Sequence, residues 1–206
     1  MTSRVAHRSI ASTAVCVVAL ALLTWADLAS KDWALDSLSR VPSIPAGEVC
    51  RANADGLTYF QRLPTAPLVL VDGYLELRYA ENCGAAFGVL NNGPSWLRLL
   101  LFAPAAAAAV LGLLWLYYTG YGRRLFALSV PLIASGALGN LVDRFRLGYV
   151  VDFVRFHLQD GWAWPTFNVA DITITVGVGL LLIEGFSAPS RTRSPSPPPA
   201  ELDSSR

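Results

Sequence analysis

The chain has 206 residues, 53% of them hydrophobic and only 15% charged, with a formal net charge of +1 and a mean hydropathy of +0.43. That composition argues against a fully soluble globular domain. A near-neutral chain without a basic stripe of interleaved aromatics gives no case for nucleic acid either.

A helix that crosses the hydrocarbon needs about 20 mostly apolar residues. The first candidate covers residues 9–28. Arg4, His7 and Arg8 precede it as in a signal peptide, but its long core runs into Trp25-Ala26-Asp27 rather than a small-x-small cleavage site, so an uncleaved anchor is expected. Residues 31–67 carry scattered Pro, Gly and charge without a clear period and read as loop. Leu68-Val69-Leu70-Val71, Asp72-Gly73 and the alternating run from Tyr74 to Tyr79 predict a hairpin. A lone hairpin is marginal in water, so it should lie on the helices or the lipid surface.

The second span, residues 96–118, is alanine-rich from Ala105 to Ala109 and ends in Trp115, Tyr117 and Tyr118, aromatics suited to an interface. The third, 125–141, offers Ser135, Gly136, Ala137 and Gly139 for close helix approach, and Gly177 and Gly179 offer the same in the fourth, 169–186. Both are short, and each continues into a polar cluster that can remain helical. Residues 187–206, with Ser194-Pro195-Ser196-Pro197-Pro198-Pro199, have the composition of a disordered tail. The organisation is therefore one membrane domain, 1–186, with an external loop and β-element over 32–94, followed by the tail.

Lys and Arg in short segments set orientation. Arg4 and Arg8, then Arg123 and Arg124, then Arg191 and Arg193 put both termini on the cytoplasmic side and the polar stretches 31–95 and 142–166 outside. Cys16 lies within the first span. Cys50 and Cys83 are external, where a bridge is permitted, but independent thiols fit the sequence equally well.

Chemistry is signalled by acids near a bilayer boundary, where charge is costly unless it is paired, hydrated or used. Asn140, Asp143 and Arg144 share a helix face at the end of the third span. Asn168 and Asp171 repeat the three-residue offset at the start of the fourth, where capping is the plain structural reading. Asp152, inside Tyr149-Val150-Val151-Asp152-Phe153-Val154, is either a hydrated turn residue after Gly148 or functional. Two neighbouring carboxyls do not both ionise easily, and such a pair activates water for amide hydrolysis. With only His7 and His157 and no HExxH pattern, a zinc site is poorly supplied, and no metal or cofactor is expected. Ser30 and Lys31, being sequence neighbours, do not face one another as a dyad. Competing readings are a proton-linked transporter and a non-catalytic scaffold, although transport favours groups at mid-membrane depth.

Four ordered blocks, Asn82-Cys83-Gly84-Ala85-Ala86-Phe87-Gly88, residues Gly136 to Arg144, Gly148 to Phe153 and Trp164 to Asp171, closely resemble the lipoprotein signal peptidases, or signal peptidase II. Asp27 with Lys31 resembles the first-helix motif of that family. The resemblance implies an all-α membrane fold of four transmembrane helices, with a small extracytoplasmic β-cradle and a short external helix between the last two spans. It implies an aspartic endopeptidase of the bacterial inner membrane that cuts diacylglyceryl-modified prolipoproteins just before the lipidated cysteine. Asp152 and Asp171 would be the catalytic pair. Asn82, Asn140, Arg144 and Asn168 would position substrate and dyad, with Asp27, Lys31, Asp143 and Gly84 as structural support. The implied partners are prolipoproteins, membrane lipids and globomycin-type inhibitors, with a monomer as the working form. The stretch between Asp27 and Asn82 is longer than the family pattern, and Cys83 stands where a small polar residue such as threonine is common.

Overall fold

A computed structural model describes residues 7–42, 50, 61–84, 95–159 and 161–187. Four of its helices are long and apolar enough to cross a membrane: α1 (Ile10–Leu38), α2 (Ser95–Tyr118), α3 (Arg124–Arg146) and α4 (Val169–Phe186). α2 and α4 fall where hydropathy placed them, and α3 runs on through the Asn140 to Arg144 cluster as a continuous helix. The disordered tail expected after α4 lies, beyond residue 187, outside the described residues, as does much of the long loop.

α1 departs furthest from expectation. Ser9 caps it by accepting the Ser12 amide at 3.2 Å, but the helix does not stop near residue 28. At 1.5 Å per residue its 29 residues reach roughly 43 Å, against about 30 Å of hydrocarbon. The loop expected from residue 31 therefore begins only after Leu38, and Ala34 and Leu38 are buried against the sheet. Asp27 and Lys31 resemble the polar end of a span, yet both are buried inside the bundle.

α3 is the central helix, packing on α1, α2 and α4. Its approach to α4 depends on missing side chains. A Cβ on Gly136 would meet the Ala170 carbonyl and Thr173 Oγ1, and one on Gly177 would lie 2.6 Å from Ile133 Cγ1. Gly179 does not share this role, because the space beside it is open.

One end of the bundle carries a three-stranded antiparallel sheet of order β3-β4-β5, from β3 (Leu68–Val71), β4 (Leu75–Asn82) and β5 (Val150–Phe156). A separate two-residue pairing of β1 (Ser39–Arg40) with β2 (Leu63–Pro64) follows directly on α1. The expected hairpin is β3-β4, with Gly73 at φ +74° in its turn, but β4 continues to Asn82. Side-chain direction alternates along a strand, and here both faces of β5 are covered, leaving Val150, Val151, Asp152 and Phe153 all buried. The short external helix implied between the last two spans is not formed among the described residues. β-branched and aromatic residues there spend their backbone groups on the sheet, β5 pairing with β4 on one side and with Phe167 on the other.

Cys50 and Cys83 are bonded, with Cα atoms 5.6 Å apart and a separation of 33 residues. Closing such a loop contributes roughly 3–4 kcal/mol in the chain-entropy account. The bridge lies in an apolar cluster with Ala34, Leu38, Tyr79, Tyr149, Val151 and Phe153.

Candidate active site

Asp152 arrives on β5 and Asp171 in the first turn of α4, and the link between them is backbone pairing. The Phe167 carbonyl accepts the amides of Phe153 and Val154 at 3.0 and 2.8 Å, while the Phe167 amide donates to the Val154 carbonyl at 3.0 Å. This short edge pairing delivers the next residue, Asn168, beside Asp152. Asn168 then caps α4: its Oδ1 accepts the Asp171 amide at 3.0 Å, and Asp171 Oδ2 accepts the Asn168 amide at 3.2 Å. The capping expected from sequence is thus present, and it orients the acid.

Each carboxyl is held by asparagine amides. Asp152 Oδ1 accepts from Asn168 Nδ2 at 2.7 Å and Oδ2 from Asn82 Nδ2 at 3.0 Å. Asp171 Oδ1 accepts from Asn140 Nδ2 at 3.0 Å. Asn168 Nδ2 also lies 3.2 Å from Asn140 Oδ1, so one amide touches the supports of both acids. Arg144 donates to the Asn140 carbonyl at 3.0 Å and the Gly84 carbonyl at 2.9 Å, binding the end of α3 to the end of β4. The Gly84 amide in turn donates to Asn82 Oδ1 at 3.1 Å.

Beneath this layer sits a buried charge cluster. Lys31 Nζ, fully buried, donates to Asn140 Oδ1 at 2.8 Å and pairs with Asp27 at 2.8 Å and Asp143 at 3.4 Å. Asp27 Oδ1 accepts the Ala170 amide in the first turn of α4, and Asp143 Oδ2 accepts the Val151 amide next to Asp152. Each buried acid therefore fixes the backbone adjoining one of the two site aspartates. Gly139 is required here, since a Cβ would collide with the Asp27 carboxylate.

Electrostatics separate the two acids. Asp152 is 2% exposed, whereas Asp171 is half-buried. Burial, reinforced by the neighbouring Asp171 charge, pushes the Asp152 carboxyl up to about 7, against the hydrogen bonds from Asn82 and Asn168 and the Lys31 charge that favour its ionised form.

The residues singled out in the sequence meet in this constellation: Asp152, Asp171, Asn82, Asn140, Arg144, Asn168, Asp27, Lys31, Asp143 and Gly84. His157 stands apart, its Nδ1 3.0 Å from the Gln159 carbonyl. The backbone groups of Val151, Phe167 and Ala170 also hold the site, and no side-chain signal in the sequence marks them. The four-residue spacing of Asp27 and Lys31 is the one local hint of the ion pair that forms on α1.

Four spans, a sheet over one end and a two-acid site beneath it define a multi-pass membrane protein with a dicarboxylate centre of one buried and one half-buried acid. Residues 18–187 match the family described as signal peptidase (SPase) II. The chain is 38% identical over 133 residues to the lipoprotein signal peptidase of Photorhabdus laumondii subsp. laumondii, covering 65% of this chain and 77% of that one. It is 44% identical over 115 residues to that of Symbiobacterium thermophilum, covering 55% and 72%. A bacterial membrane enzyme solved by the in meso method at 2.3 Å superposes with a TM-score of 0.64 at 19% identity, over 89% of this chain and 94% of that chain, a likeness of fold. The chain belongs to the signal peptidase II family.

Proposed function

We propose that the protein is a membrane aspartic endopeptidase that removes signal peptides from diacylglyceryl-modified prolipoproteins, cutting just before the lipidated cysteine. The observation that carries this reading is the convergence of Asp152 and Asp171 on Asn168, which donates its side-chain amide to the first and its backbone amide to the second, with Asn140 linking Asn168 to Asp171. A water between the two carboxyls would lose a proton to Asp171 as its oxygen attacks the scissile carbonyl. Asp152, which holds its own proton near neutrality, would donate it to the developing oxyanion. On collapse of the tetrahedral intermediate, Asp171 passes its proton to the leaving nitrogen and Asp152 recovers its own. Asn82, Asn140 and Asn168 keep the acids in register, and Lys31 stabilises the asparagine beside them.

The arginines before α1, between α2 and α3 and after α4 support a cytoplasmic position for both termini, which would set the sheet end and the site at the outer face of the inner membrane. A substrate whose cysteine carries two acyl chains presents its cut site at that depth. The protein would work as a monomer, with the spans facing the acyl chains.

The test is cleavage of matched precursor peptides, diacylated and unmodified, by purified wild type, Asp152→Asn and Asp171→Asn. Wild type should cut only the diacylated peptide, and each variant should leave it intact while still inserting. Cleavage retained in either variant removes that residue from the catalytic role. Globomycin should block wild-type cleavage.

A further inference from the structure

The disulfide sits at an unusual address. Cys83 lies between two residues of the site, Asn82, whose amide donates to Asp152, and Gly84, whose carbonyl accepts from Arg144. The pairing of β4 with β5 ends at Asn82 opposite Val150, so the sheet ladder does not hold the residues that follow. The corner is instead closed by the Gly84 amide on Asn82 Oδ1 and by the bond from Cys83 to Cys50.

Cys50 makes a firm anchor. It is 1% exposed, packed in the cluster of Ala34, Leu38, Tyr79, Tyr149, Val151 and Phe153 between α1 and the sheet. Its Sγ lies 4.0 Å from the Gly148 carbonyl, at the turn leading into β5. The anchor therefore sits at the entry to the strand that carries Asp152. A second attachment of the long loop lies close by: the Gln61 and Arg62 amides donate to the Glu81 carboxylate at 2.8 and 2.7 Å.

We propose that the Cys50–Cys83 disulfide is a positioning element of the site, holding the Asn82-Cys83-Gly84 corner so that the Asn82 amide stays on Asp152 and the Gly84 carbonyl stays on Arg144. Cys50 thereby becomes part of the catalytic framework. This rests on the two-acid reading above. Without the bond, the corner loses its one covalent tie and is left to packing and hydrogen bonds past the end of the ladder, and small displacements at a site of this kind cost up to about 10²-fold in rate. The Asn82 hydrogen bond favours the ionised form of Asp152, so loosening it should also let that carboxyl keep its proton to higher pH.

The experiment uses the full-length protein and a fluorogenic diacylated peptide. Cys50→Ser and Cys83→Ser should each lower kcat about tenfold or more with KM changed less than about twofold, and move the alkaline limb of the pH profile upward. Adding Cys50→Ser to Asn82→Ala should cost less than Cys50→Ser costs in the wild-type background, because the Asn82 bond to Asp152 is already gone and only the Gly84–Arg144 contact is left to loosen. If the serine variants do not fold, wild type reduced after folding, with the released thiols counted, replaces them, and reoxidation should restore kcat. Wild-type kcat and an unmoved pH limb in the unbridged protein, even with a lowered melting temperature, would overturn the proposal, as would additive effects in the double variant. If oxidised wild type cleaves nothing, the peptidase reading fails on its own. The positioning claim is then decided by the carboxyl infrared band of Asp152 in oxidised and reduced protein, where identical titrations refute it.

Discussion

The two ends of the bundle hold their acids in different ways. At the end away from the sheet, Glu184 on α4 accepts the Arg123 and Phe126 amides at 2.6 and 2.9 Å, closing the start of α3. Arg8 there donates to the carbonyls of Tyr117 and Tyr121 and lies over the Tyr117 ring. Those polar groups finish helix ends. At the sheet end, Asp152 and Asp171 are held chiefly by side-chain amides, with a second carboxyl as neighbour. A carboxylate that only completes a helix terminus, as Glu184 does, is at rest, whereas Asp152, buried beside a second carboxyl, has its proton affinity raised, which suits acid-base chemistry.

Substitutions test that contrast. Asp171→Asn should lower the cleavage rate by roughly 10³-fold or more, the range for loss of a general base, while Glu184→Gln should leave the rate within about twofold and cost at most about 1 kcal/mol of stability. A comparable loss from both would erase the distinction. Lys31→Met should destabilise the fold by about 3–5 kcal/mol, because Asp27 and Asp143 are then left buried without their cation, and denaturant titration in micelles measures it. Gly139→Ala should cost about 1–3 kcal/mol through its clash with Asp27, whereas Gly179→Ala, with open space beside it, should be close to neutral in the same assay.

The smallest effect is in pH. With the Asp152 carboxyl up at about 7, the active protonated form should be lost as pH rises through that value, giving an alkaline limb near neutrality. Asn82→Ala removes a hydrogen bond that favours the carboxylate, so its limb should move to higher pH. Stability follows the same sign. A carboxyl raised on folding contributes in full below its ordinary range, and that contribution is lost as pH rises through about 7, a slope that Asp152→Asn should flatten.

Much of this arrangement is written locally. Asn140, Asp143 and Arg144 share a face because the helix continues, and the Asn168–Asp171 capping box needs only a three-residue spacing. The ordered motifs that resemble signal peptidase II name the site residues. What stays hidden depends on distant partners. β5 shows no alternation because both its faces are covered, and its ladder partner β4 lies far earlier in the chain, as the Asn82–Asp152 separation of 70 records. The full length of α1 is concealed by Asp27 and Lys31, whose charges look like a span terminus until Asn140 and Asp143 are seen against them. The cysteine pairing required the two Cα atoms to come within bonding reach, which sequence does not reveal.

The burial of Lys31 has a consequence for biogenesis. Made before α2, α3 and α4, α1 carries only Asp27 as a buried counter-charge, while Asn140 follows 109 residues after Lys31 and the Ala170 amide 143 residues after Asp27. A lysine in hydrocarbon without full compensation costs a few kcal/mol, so the leading helix should settle at its final depth only when the later ones dock. A nascent chain arrested before α3 should accordingly leave Lys31 open to a water-soluble amine reagent, and the completed protein should shield it.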